Sequence, residues 1–150
     1  MAHQLLRNLD QIRRAEWFAV IADETQDMSG HEQLGISVRW VDGSYNVHED
    51  LIGLIEVEMT DAATLASTLK DTLLRCNLQL VQCRGQAYDG ASNMAGHLTG
   101  VSTRIQAEEP RALYTAWHIA STYAYKTVPE SAIRNQGHNH QHSLSTYEHM

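Results

Sequence analysis

The chain has 150 residues, enough for one domain with a modest core, and a formal charge of −7 with 11 basic against 18 acidic residues. That balance excludes a free-standing basic nucleic-acid binder, whose footprint is a Lys/Arg-rich stripe, but leaves room for a carboxylate site that works through bound cations. No apolar run is long enough to span a membrane, and the first residues lack the apolar stretch of a secretory leader, so nucleus or cytoplasm is the expected location. The two cysteines, Cys76 and Cys83, lack the paired spacing of a zinc site and read as reduced thiols, with Cys76 in the core.

The first predicted element is a helix over residues 3–16, with Leu5, Leu6, Leu9 and Ile12 on one face and Arg7, Arg13 and Arg14 on the other. Those arginines could touch phosphate, although a solvated helix face is the commoner use of such residues. Residues 17–23 are almost wholly apolar, as in a strand covered on both sides, and end on Asp23. Trp17, Phe18 and Trp40 read as core. Polar residues 24–33 read as a loop in which Glu24 and Asp27 are solvated rather than ligating. Leu34, Ile36, Val38 and Trp40 alternate with Gly35, Ser37 and Arg39, the pattern of a half-buried strand. Asp42-Gly43 marks a hairpin turn, and a third strand is expected over 45–57.

Thr60 or Asp61 is positioned to cap a helix whose stripe is Ala62, Leu65, Leu69, Leu73 and Cys76. An extended segment over 80–88 leads to Asp89. A second helix is expected over 92–108, with Met94, Leu98, Val101 and Ile105 on one face and Pro110 ending it. Ser92 and Asn93 are placed to start that helix or to orient Asp89. Ala112 to Tyr114 opens a further strand. The order β-β-β-α-β-α-β describes a mixed sheet with helices packed on it, the order of the ribonuclease H-like fold, here in an incomplete form. In that arrangement the first and fourth strands are neighbours, so Asp23 and Asp89 are expected to face one another.

Two blocks carry the chemistry: Phe18 to Asp27 (FAVIADETQD) and Cys83 to Met94 (CRGQAYDGASNM). Each is an extended run ending on an acid. Acids at the carboxyl ends of adjacent strands meet over a cleft, where two of them can share a divalent ion suited to phosphoryl transfer. Taken singly, each acid could equally close a strand and shape the following turn.

On these two blocks, together with Glu32 to Asp42 (EQLGISVRWVD) and His48 to Glu58, the chain resembles the hAT superfamily of DNA transposases. It is most similar to the transposase-derived domain that follows the zinc fingers in MYM-type zinc finger proteins. The resemblance runs to Tyr114. It implies a ribonuclease H-like core with an Asp, Asp, Glu triad that holds Mg²⁺ or Mn²⁺ and acts on DNA. Asp23 matches the first acid and Asp89 the second. The third acid, the helical insertion and the DNA-binding finger fall outside the resembling segments. The resemblance therefore implies a fragment with two vestigial metal-ligating carboxylates, Asp23 and Asp89, and weak or no metal binding of its own. The alternative is an active divalent-metal-dependent transposase or nuclease core using the same two acids. Loss of the closing helices would leave one sheet face open, available to a protein partner or to self-association.

Three parts are expected: an N-terminal helix over 1–16, the transposase-like core over 17–114 and a tail over 115–150. The family continues past Tyr114 with a segment like VHCMAHSLNLRLQDC. Codons permitted for Thr115 to Val128, regrouped by one base, spell HCMAHSLNLRLQDC. The tail therefore reads as an out-of-frame extension. From Lys126 onward it has few large apolar residues and is expected to be disordered. His138, His140 and His142 alternate there, a pattern able to bind Zn²⁺ or Ni²⁺, but an out-of-frame origin argues against a functional site.

Overall fold

The apolar stripe of the first segment forms helix α1, Ala2–Arg14, which buries Leu9 and Ile12. The computed structural model describes residues 2–116, so the histidine-rich stretch and the rest of the tail lie outside the described residues. Arg13 does not merely decorate the solvent face. Its Nε donates to the Cys76 carbonyl at 2.9 Å and so ties α1 to the end of the next helix.

Three antiparallel strands follow: β1 (Phe18–Gln26), β2 (Glu32–Val41) and β3 (Val47–Glu56). After them come helix α2 (Ala62–Arg75), a 3₁₀ turn (Leu80–Gln82), strand β4 (Cys83–Tyr88), helices α3 (Ser92–Ala95) and α4 (Val101–Glu108), and strand β5 (Leu113–Ala116). Spatial order in the sheet is β3-β2-β1-β4-β5, with β4 parallel to both β1 and β5. This is the expected mixed α/β architecture, with the first and fourth strands side by side.

The core lies on one face of the sheet. Phe18, Val20 and Ala22 of β1 and Leu34, Ile36, Val38 and Trp40 of β2 meet Leu65, Leu69 and Leu73 of α2 and Val101 and Ile105 of α4. On the opposite face Ile21 and Ala87 form a small buried cluster of their own. Asp61 is the helix cap, its Oδ1 accepting from the amides of Ala63 and Thr64 at 3.0 Å.

Four expectations change. β1 runs three residues beyond Asp23, because Glu24 to Gln26 pair with Leu34 to Glu32 and only a tight turn remains. That turn is built by Asp27, whose Oδ1 accepts from the amides of Ser29 and His31, with Gly30 at φ 84°. The helix expected over 92–108 is broken in two. Backbone segments at Gly96 and Gly100 approach so closely that a Cβ on Gly100 would sit 2.5 Å from the Gly96 nitrogen. Leu98, placed on the buried face by periodicity, lies in that break and is 89% exposed. Trp17 is half-buried rather than core, with the Arg84 guanidinium 3.7 Å over its ring. Finally, the strand expected to open at Ala112 to Tyr114 runs over Leu113–Ala116.

Candidate carboxylate site at the sheet switch point

β1 and β4 run parallel in the middle of the sheet, with the chain leaving β1 toward β2 and leaving β4 toward β5. This is the point at which strand order reverses, where open α/β sheets place their ligands. The ladder pairs Ile21 with Ala87. Two residues further along each strand, on the same face, stand Asp23 and Asp89. Side chains two apart on a strand share a face, so Asp23 and Asp89 each stand two residues beyond the last rung of this ladder, at the same end of the sheet. Both are exposed. Asp23 lies within the paired part of β1, opposite Gly35, while Asp89 follows the last residue of β4. The Asp89 Oδ1 accepts from the Ala91 amide at 3.2 Å, which turns the chain toward α3.

A third carboxylate lies close by on the other face. Glu24 is half-buried on the side of Phe18, Val20 and Ala22. Its pKa is raised, first by burial and then by the charges of Asp89, Glu32 and Asp23, against the lowering effect of a hydrogen bond from Asn93. Asn93 Nδ2 donates to Glu24 Oε1 at 2.8 Å and to the Thr60 carbonyl at 2.9 Å. Asn93 therefore neither caps α3, whose cap is Ala91, nor orients Asp89. It joins β1, α3 and the loop before α2 at the edge of the acidic site. Periodicity gives no sign of this bridge; the signal is a lone amide within the Asp89 block, and its partner Glu24 is far away in sequence.

The donor set suits one kind of metal. Asp23 and Asp89 offer two carboxylates, and Mg²⁺ is commonly held by one or two carboxylates with waters completing an octahedron. Among the described residues no three His, Cys, Asp or Glu side chains converge tightly enough to enclose an ion. Any Mg²⁺ or Mn²⁺ taken by Asp23 and Asp89 would remain largely hydrated. The cysteines are elsewhere. Both are free, and burial raises the Cys83 thiol to about 11, so it is an inert core group. No helix among the described residues is long and apolar enough to cross a membrane.

The chain is similar in sequence to known proteins. Residues 2–100 match the family described as ZMYM1/FAM200, RNase-like domain. The chain is 32% identical over 124 residues to the mouse 52 kDa repressor of the inhibitor of the protein kinase, covering 81% of this chain and 16% of that protein. It is 34% identical over 108 residues to the human protein of the same name, covering 71% of this chain and 14% of that protein. The chain thus spans about one-sixth of the length of these relatives. With its mixed sheet and its match across most of the core, the chain belongs to the ZMYM1/FAM200 RNase-like family, a group of transposase-derived domains.

Proposed function

We propose that this chain is part of a hAT-like, transposase-derived nuclear protein in which Asp23 and Asp89 keep the positions of two metal-ligating carboxylates, without cutting DNA on their own. The observation that carries the reading is the parallel pairing of β1 with β4. That ladder sets Ile21 beside Ala87, each two residues before an acid, which supports the reading that Asp23 and Asp89 share one face at the switch point. Against catalysis by this chain stands the environment of Glu24. Glu24, whose carboxyl feels the charges of Asp23 and Asp89, is on the opposite face, and Asn93 occupies one of its oxygens. A two-metal displacement needs ligands for both the attacking and the leaving oxygen, and two exposed carboxylates do not supply them.

The test pairs a binding and a cutting assay. Titration with Mg²⁺ or Mn²⁺ is expected to show weak binding, in the millimolar range typical of a solvent-open site with few ligands (order-of-magnitude). That binding is lost in Asp23→Asn/Asp89→Asn. Supercoiled DNA is expected to survive incubation with Mn²⁺ and the protein. Metal-dependent nicking that disappears on Asp89→Asn would overturn this reading in favour of an active nuclease core.

The tail belongs to the same reading. We take residues after Tyr114 as an extension read out of the ancestral frame, since a one-base regrouping of permitted codons restores the family segment. Sequencing genome and transcript across these codons checks this. A transcript whose shifted frame does not encode the family segment would sink it.

A further inference from the structure

At the opposite end of the sheet from Asp23 and Asp89 lies a cavity of about 450 Å³, open at the start of β1 and the end of β2. Its volume falls within the range of small-molecule sites. Three features distinguish its wall. First, the pairing of β1 with β4 jumps there: Phe18 pairs with Cys83 and Ala19 with Gly85, leaving Arg84 as an extra residue without a partner. A bulge of this kind is rare in parallel pairs and redirects the side chain it carries. Here it sends the Arg84 guanidinium over the Trp17 ring at 3.7 Å. Nη1 of Arg84 is anchored by the carbonyls of Val81 and Cys83, at 2.7 and 3.0 Å. Its Nε and Nη2 make no hydrogen bond among the described residues.

Second, the cavity presents flat apolar surface. Trp17, Tyr45 and the stacked pair Trp40 and His48, with centroids 4.4 Å apart, all line it. Tyr45 is 47% exposed and held at φ 65°, a conformation uncommon for an aromatic residue. The loop that carries it is fixed by Asp42, whose carboxylate accepts from the Ser44 and Asn46 amides and meets His48 Nε2 at 2.8 Å. Third, the wall carries three arginines, Arg14, Arg39 and Arg84, against two carboxylates, Glu16 and Asp42, where the chain as a whole is anionic. Arg14, exposed at the end of α1, has no ion-pair partner among the described residues. Arg39 is engaged with Glu49, and Asp42 is consumed by its own loop.

The geometry points to a second binding site here, for a small flat organic anion: a ring that stacks against Trp17 or Tyr45 and carries a phosphate or carboxylate met by Arg84 and Arg14. An anchored guanidinium with two free donor positions is built for bidentate contact with such a group. The ring contributes stacking that a bare anion lacks. This site shares no residue with the carboxylate end and does not depend on a metal there.

The test is calorimetric titration of the whole chain with AMP, phenyl phosphate, adenosine and inorganic phosphate, in EDTA so that no metal carries the anion. AMP and phenyl phosphate are expected to bind, with adenosine and phosphate each at least about tenfold weaker, since either half alone forfeits a charge-assisted contact or a stack. Arg84→Gln is expected to weaken AMP by about tenfold or more, the scale of a lost hydrogen bond to a charged group. Asp89→Asn is expected to leave AMP binding unchanged. Should Arg84→Gln alter the fold, as thermal unfolding would reveal, the exposed changes Arg14→Gln and Tyr45→Ala take its place. Failure of AMP and phenyl phosphate to bind at millimolar concentration overturns the proposal. So does phosphate binding as tightly as AMP, and so does undiminished AMP binding in these variants.

Discussion

Glu24 and Glu109 show how single carboxylates pull the stability of this fold in opposite directions. Glu24 has a raised pKa, so the folded state holds its proton more tightly than the unfolded chain does. The stability it contributes is therefore present below the unfolded value of about 4.5 and lost as pH rises through the folded value. At neutral pH its charge is a liability beside Asp23, Glu32 and Asp89. Glu24→Gln keeps an oxygen for Asn93 and removes that charge. It is expected to stabilise the fold at pH 7 by on the order of 0.5 kcal/mol, the scale of partly exposed charge interactions, and to give no advantage near pH 4. Urea unfolding at the two pH values measures this. Glu109 behaves in the reverse sense. Hydrogen bonds from Arg111, at 2.7 and 3.1 Å, lower its pKa to about 2. Its contribution is full above about 4.5 and disappears as pH falls toward 2, so Glu109→Gln is expected to flatten the acid limb of the stability profile. An unchanged acid limb would show that the pair is mobile in solution.

At the scale of elements, the break between α3 and α4 is a backbone matter. Gly100 has φ −64°, a conformation any residue adopts, so the need for glycine there comes from the closeness of Gly96 alone. Gly100→Ala is expected to cost about 2 kcal/mol or more, because the clash is with backbone and relief requires the two segments to separate. Leu98→Ser, in the same break but exposed, is expected to change stability by less than about 0.5 kcal/mol. Thermal melts of the two variants check both figures. This break also shows where sequence reading reaches its limit. The stripe of α2 and the alternation of β2 are legible because burial on one face imposes a period, the cap because Thr60 or Asp61 precedes the stripe, and the meeting of β1 with β4 through the ribonuclease H-like order of the elements. Met94, Val101 and Ile105 were legible from their period as well. The kink was not, since periodicity runs through Gly96 and Gly100 without marking which glycine the packing requires. Asp23 and Asp89 stand out in the sequence because one closes an apolar run and the other an extended one, although β1 itself continues to Gln26. Their neighbour Asn93, the turn-forming role of Asp27 and the bulge at Arg84 all depend on partners that no local pattern reveals.

For the molecule as a whole, the two faces of the sheet differ in kind. α1, α2 and α4 contribute to a single core on one face. On the other, the register sets Leu51 of β3 beside Ser37 and Leu54 beside Gly35, while Leu113 of β5 pairs with Gly85. Leu51, Leu54 and Leu113 are 56%, 58% and 49% exposed. A slip in the β2–β3 pairing between Ile36 and Ser37 lets Ile52 and Ile55 pack against the core while Leu51 and Leu54 turn away from it. Leu113 stands at the far edge from Leu51 and Leu54, which share edge strand β3; a contiguous exposed apolar patch, rather than scattered side chains, marks an interaction surface. If that face is open in solution, Leu51→Lys/Leu54→Lys removes apolar contact area without touching the core. The double variant is then expected to bind less of a hydrophobic dye, to remain monomeric at concentrations where the parent chain associates, and to unfold within about 1 kcal/mol of it, as exposed substitutions do. Light scattering, dye fluorescence and urea unfolding of the two chains together decide the matter. A loss of several kcal/mol in the variant would mean that these leucines already pack within the chain, and that the face is closed from inside.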